Sequence, residues 1–160
     1  FIGNFMALSK ITNSGVATSG LPTGSVLQVI QQSTTTPSDT TSTSFVDSNL
    51  SASITPTSTS SKILVIADFG SGSTNVSGGC IVNLLRDSTQ LLYRGVAYSN
   101  AGSSTGSSTL CHLDSPATTS SVTYKVQFLT QNANSTVAVN SAFGGYANPT
   151  AHVTLMEIAG

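Results

Sequence analysis

Charge is what this chain has least of. Its 160 residues include five lysines and arginines and six aspartates and glutamates, 7% in all, against about 25% in an average soluble chain. The cations Lys10, Lys62, Arg86, Arg94 and Lys125 are scattered, so no basic stripe exists to neutralise a run of phosphates, and nucleic-acid binding is not expected. The acids are equally dispersed, which argues against a calcium cage. Tryptophan is absent. The longest apolar run, Ile63 to Ala67, falls far short of the ~20 residues of a membrane helix, so no membrane insertion is expected. Soft metal ligands are limited to Cys80, Cys111, His112 and His152. Neighbouring Cys111 and His112 would point to opposite faces of a strand and cannot share one ion. No metal or cofactor is expected.

Hydroxyls fill the gap. Serine and threonine make up about a third of the chain, and such side chains favour strands and turns over helix interiors because they compete for backbone hydrogen bonds. The resulting surface is polar yet almost uncharged, which suits a protein that lives in an assembly. Short apolar runs between Ser/Thr/Gly/Asn clusters predict strands and no helix. Ser25–Gln32 is the first. Leu50, Ala52 and Ile54 alternate with polar residues, as do Val122, Tyr124, Val126 and Phe128, giving two half-buried strands. Lys62–Phe69 is apolar on both faces, which predicts a central strand or one covered by a neighbouring subunit and makes Leu64 and Ile66 the candidate oligomer face. Ile81–Leu85 and Gln90–Val96 read as a hairpin around Arg86-Asp87-Ser88-Thr89, followed by Thr109–Leu113, Val137 with Val139, and Ala151–Ala159. Ser33–Ser44, Gly70–Gly79, Ser99–Ser108 and Ser141–Pro149 read as loops.

The sum is an all-β chain, an antiparallel β-sandwich of about eight or nine strands. Residues 1–24 read as an extended N-terminal arm and residues 25–160 as the sandwich domain. Within the arm, Met6-Ala7-Leu8-Ser9-Lys10 has the look of a natural start.

Patterns that mimic chemistry are weak. Gly102-Ser103-Ser104-Thr105-Gly106 matches the G-x-S-x-G of serine hydrolases, but that motif needs a strand, a sharp turn and a helix, and no helical pattern follows here. His112 and Asp114 would share a strand face, yet a partly buried or simply exposed histidine and an aspartate that starts the turn before Pro116 are the better explanation. No catalytic residue is assigned, and the chain is not expected to be an enzyme. Cys80 and Cys111 are expected to be free thiols, with a disulfide as the alternative. The candidate ligand contacts are an aromatic beside an amide in two loops: Tyr98 with Asn100, and Phe143, Tyr146 with Asn148.

Four segments, in order, carry a resemblance: LPTGSVLQ at Leu21–Gln28, TSTSFVDSNLSASITPTSTSSKILVIA ending at Ala67, LDSPATTSSVTYKVQFLTQ at Leu113–Gln131, and TLMEIAG at Thr154–Gly160. With the opening MALSKIT of Met6–Thr12, they resemble the C-terminal domain of marine bacteriophage tail-fibre and related virion structural proteins. The resemblance implies a jelly-roll-like sandwich on the exterior of a phage particle, usually a homotrimer. It implies contact with other virion proteins through the arm, and with a host surface glycan through the loops. Longer relatives place a shaft before this domain. About twenty residues precede Leu21 here, so a short spike, head fibre or capsid decoration protein is expected beside a tail fibre. A filament subunit that donates a strand to its neighbour is the alternative from outside viruses.

Overall fold

A computed structural model describes residues 21–74, 78–99, 102–141 and 148–160. The expected arm, residues 1–24, therefore lies almost wholly outside the described residues. Ten strands make up the rest: β1 (Val26–Thr34), β2 (Ser38–Thr40), β3 (Val46–Ile54), β4 (Lys62–Thr74), β5 (Gly78–Arg86), β6 (Thr89–Ser99), β7 (Ser104–Asp114), β8 (Val122–Thr130), β9 (Thr136–Val139) and β10 (Ala151–Ile158). No helix occurs among the described residues.

The ten elements fall into eight lanes. β7 runs along one side of β4 from Ile63 to Ser73. The other side is shared end to end by β10, against Lys62–Asp68, and β9, against Ser71–Thr74. β1 pairs β10 and β2 pairs β9, so β1/β2 and β9/β10 are each one lane with an interruption. One sheet is thus β1/β2, β9/β10, β4, β7, and the other is β3, β8, β5, β6. Numbered by lane along the chain, the orders are 1-8-3-6 and 2-7-4-5. Lane 1 pairs 8, 2 pairs 7, 3 pairs 6 and 4 pairs 5, as if one long hairpin were rolled up, and all ladders are antiparallel. That is the jelly-roll arrangement of two Greek keys.

Alternation sets the core. β8 and β10 bury every second residue, and with β3 and β4 they send Leu50, Ile54, Val65, Phe69, Tyr124, Phe128 and Leu155 between the sheets. Burying each such side chain contributes roughly 1.5–3 kcal/mol, and Tyr124, Phe69 and Phe128 are the largest. β4 is central in its sheet, as its two apolar faces require.

Three stretches expected as loops contain strand, and two of them are mostly strand. Ser33–Ser44 contains β2. Within Gly70–Gly79, β4 continues to Thr74 and β5 starts at Gly78; within Ser99–Ser108, β6 includes Ser99 and β7 starts at Ser104. Their sequences lack apolar alternation because hydroxyls take its place. Ser71 Oγ lies 2.9 Å from Ser108 Oγ. Ser73 Oγ donates to the Gly78 carbonyl at 3.0 Å and lies 3.1 Å from Ser135 Oγ. Buried hydroxyls so paired avoid the cost of a lost hydrogen bond and let a strand be built without aliphatic residues.

The interruption in lanes one and eight has a local cause. Asn140 adopts a left-handed φ of 59°, a conformation asparagine tolerates better than most residues. Its amide nitrogen donates to the carbonyls of Thr34 and Thr36 at 3.0 and 3.3 Å, while its backbone N–H donates to the Gly70 carbonyl at 2.7 Å. One side chain therefore pins both kinks together.

Candidate functional site

The jelly roll gives the molecule two unlike ends. Both the start of lane one and the end of lane eight lie at the same end, where Gly24 N–H donates to the Ala159 carbonyl and Ala159 N–H to the Ser25 carbonyl, each at 2.8 Å. Strands β3, β5 and β7 finish at that end, and β4, β6 and β8 finish at the other.

The chain-entry end holds the most buried carboxylates of the described residues, Asp114 and Glu157. Arg86 Nη1 donates to both carboxylate oxygens of Asp114, at 2.8 and 2.7 Å, and Tyr124 Oη donates to Asp114 Oδ2 at 2.7 Å. This joins β5 and β8 of one sheet to β7 of the other. Burial, reinforced by the adjoining Asp114 carboxylate, pushes the Tyr124 phenol far above its usual value. Nearby, Glu157 is fully buried. Gln28 donates to its Oε2 at 2.6 Å, and the Thr57 N–H and hydroxyl both donate to Oε1 at 2.7 Å. Burial raises this carboxyl's pKa, but the hydrogen bonds outweigh it and hold the group below the ordinary glutamate value. Asp114 and Glu157 each have a structural partner set, and sequence reading assigned neither that role. The alternation of β10 marks Glu157 as inward-facing, which was the available signal.

The loop end holds one of the ligand-contact candidates. Tyr98, 60% exposed, lines a shallow cavity of about 390 Å³ with Gly79, Cys80, Gly95 and Gln131. The glycines open it: a Cβ at Gly79 would sit 2.5 Å from Gln131 Oε1. Asn148 is not among the residues that line this cavity; it lies just before Pro149, whose ring is against Gly70. Asn100, Phe143 and Tyr146 lie outside the described residues.

The other candidates separate. Ser104 starts β7 and Asp114 ends it, so roughly 33 Å of strand lies between them and no Ser–His–Asp triad forms from these residues. Cys80 is buried and Cys111 exposed, both free; burial alone pushes the Cys80 thiol up to about 12. Leu64 and Ile66 are half-buried and face outward, since Ile63, Val65 and Ala67 take the inward positions. Register extends their row across all four lanes, from Val29 through Met156 and Leu64 to Leu113. Val29 and Leu113 are about half exposed, at 53% and 51%. Only the Leu64 and Ile66 part of that row was singled out in the sequence, because a row across a sheet is invisible until the register is known.

No family model matches the chain, and no curated protein matches it. Among solved structures, a chain from the structure of infectious bursal disease virus, Gx strain, is similar with a TM-score of 0.40 and 17% identity over 83% of this chain. This chain spans 38% of the length of that neighbour.

Proposed function

We propose that this protein is a structural component of a bacteriophage particle, a short spike-type attachment module that works as a homo-oligomer on the virion exterior. The observation that carries the reading is the ordered set of four segments, Leu21–Gln28, Thr41–Ala67, Leu113–Gln131 and Thr154–Gly160, which resemble phage tail-fibre C-terminal domains. The polarity of the sandwich supports it. The chain enters beside Gly160 at one end, where an arm would dock to the particle, and exposed Tyr98 lies at the other, where a host glycan would be met. The chain supplies all eight lanes of its own jelly roll, so it needs no strand donated by a neighbour; this favours the particle reading over a donor-strand filament.

Immunogold electron microscopy of particles from the source virus tests the proposal. Label at the tail tip is the expected result. Label spread over the head would assign the chain to capsid decoration instead, and particles without label would overturn the virion reading.

A further inference from the structure

We propose that the outer face of the β1/β2, β9/β10, β4, β7 sheet is a contact between two copies of this chain. The inference rests on the reading of the protein as a self-assembling particle component, and names the surface that does it.

The face is organised in rows by register. Val29, Met156, Leu64 and Leu113 form one row, and Gln31, Thr154, Ile66 and Cys111 form the next. Val26 and Ile158 extend the apolar area on one side, with Val26 52% exposed. His152, Asp68 and Thr109 bound it on the other. Lys62 and Asp68 are the charged residues of β4 that face outward, and Asp68 is held by the Thr109 hydroxyl at 3.0 Å. Beyond Asp68, Pro149 covers Gly70, so the chain closes the face there and leaves the apolar rows open. An apolar patch of a few hundred Å² is about the largest that a typical monomer exposes, and such patches are often functional.

Self-complementarity identifies a second copy as the occupant. Turn one copy half a revolution about an axis that runs along the strands between β10 and β4. Leu64 then meets the partner's Met156, and Leu113 meets the partner's Val29. Asp68 meets the partner's His152, an acid against an imidazole, and no like charges are opposed. A patch that complements itself in this way is what an isologous contact requires, and face-to-face sheets pack about 10 Å apart with strands within about 30° of each other. With a net charge of −1, whole-molecule repulsion does not oppose pairing. Four lanes by seven residues give a flat footprint of roughly 440 Å² per copy. Two copies together lose roughly 900 Å², near the lower limit for a specific contact, so dimerisation is expected in the micromolar range and dependent on concentration.

Cys111 is a native reporter. It is exposed on this face, and Cys80 is buried, so a thiol reagent reads Cys111 first. Sedimentation velocity on the full chain across a dilution series, paired with Cys111 labelling rates, tests the contact. The expected result is a monomer–dimer equilibrium in which labelling slows severalfold as dimer accumulates. Leu64→Asp, or Val29→Asp at the more exposed edge should the first disturb folding, raises the dissociation constant by about tenfold or more and restores fast labelling. Gln90→Asp, on the other sheet, leaves both readouts unchanged. A chain that stays monomeric throughout overturns the proposal. So does an oligomer in which Cys111 labels at its monomer rate, or an assembly that stops at three copies. The last two outcomes leave self-assembly intact, and the virion reading is judged separately by where immunogold label falls.

Discussion

On the outside of the β3, β8, β5, β6 sheet, Lys125 and Gln127 both reach Asp47, at 3.0 and 2.6 Å. Ser53 and Thr123 hydroxyls lie 2.8 Å apart, and the Phe45 and Tyr93 rings meet edge to face with centroids 6.1 Å apart. Under this cover Ile81 and Leu85, although on the outward side of β5, keep only 7% and 8% of their surface exposed. On the outside of the other sheet the comparable row is Val29, Met156, Leu64 and Leu113, and the cross-strand bonds Gln31–Thr154 and Thr109–Asp68 lie in the rows beside it. One face is finished by its own side chains; the other presents aliphatic residues half open. Two faces of one sandwich built from the same composition need not differ in this way. The difference teaches where the scarce charges sit. Lys125 and Asp47 are tied across the middle of one face. Lys62 and Asp68 flank the aliphatic row of the other and leave it uncovered, as expected if that row is covered in the working assembly.

The sharpest test of the contrast replaces one leucine on each outer face. Leu85→Ala is expected to destabilise the chain by about 2–3 kcal/mol, as for a nearly core residue. Leu113→Ala on the open face should cost under about 0.5 kcal/mol in dilute solution. Urea unfolding at low protein concentration measures both. Equal costs would mean that the two faces are equally closed in a single copy, and would remove the contrast.

Much of this was legible in the sequence, and the misses share a cause. Periodicity marks β3, β8 and β10 because their inward residues are aliphatic and their outward ones polar. It fails at Ser71, Ser73 and Ser108, where strand positions carry hydroxyls that only the fold reveals as paired. Asp39 sits mid-strand in a segment rich in serine and threonine, and nothing local distinguishes its three-residue strand from a loop. The jelly-roll order was available through the resemblance alone, since no local pattern states which lanes pair. The candidate ligand contacts fell on loops, and three of the five lie outside the described residues. Leu64 and Ile66 could be picked as outward apolar positions, but their row-mates Val29, Met156 and Leu113 belong to strands far away in sequence.

A second prediction probes what holds the open face flat. Glu157 lies directly beneath it, binding Gln28 of β1 and Thr57 of the β3–β4 turn. Its folded pKa is lowered, so its contribution is fully present above the unfolded value of about 4.3 and is lost as pH falls through the folded value. Acidification from pH 7 to pH 3 should therefore lower the urea midpoint. In Glu157→Gln the chain should start about 1–2 kcal/mol weaker at neutral pH and lose less on acidification. An unchanged acid response in the variant would assign that response to other carboxylates and leave Glu157 without a role in tying β1 to the turn.

The smallest expected effect lies on the closed face, and its smallness is informative. Gln127 and Lys125 donate to Asp47 and hold its carboxyl below the ordinary aspartate value, but the Asp47 side chain is 58% exposed and that of Lys125 29%. Water and salt screen such a pair, and exposed ion pairs contribute about 0–1 kcal/mol. Lys125→Met should therefore change stability by under about 0.5 kcal/mol, with the difference vanishing at high salt. Its stronger consequence is solubility. Removing the cation from this lattice leaves aliphatic stems where a charge had kept copies apart, so the variant should self-associate through a face that the natural chain keeps dispersed. Sedimentation of Lys125→Met alongside Leu64→Asp separates the two surfaces, with new association expected in the first and lost association in the second. Lys125→Met chains that associate no more than the natural protein would show that the polar lattice is not what keeps this face free of partners.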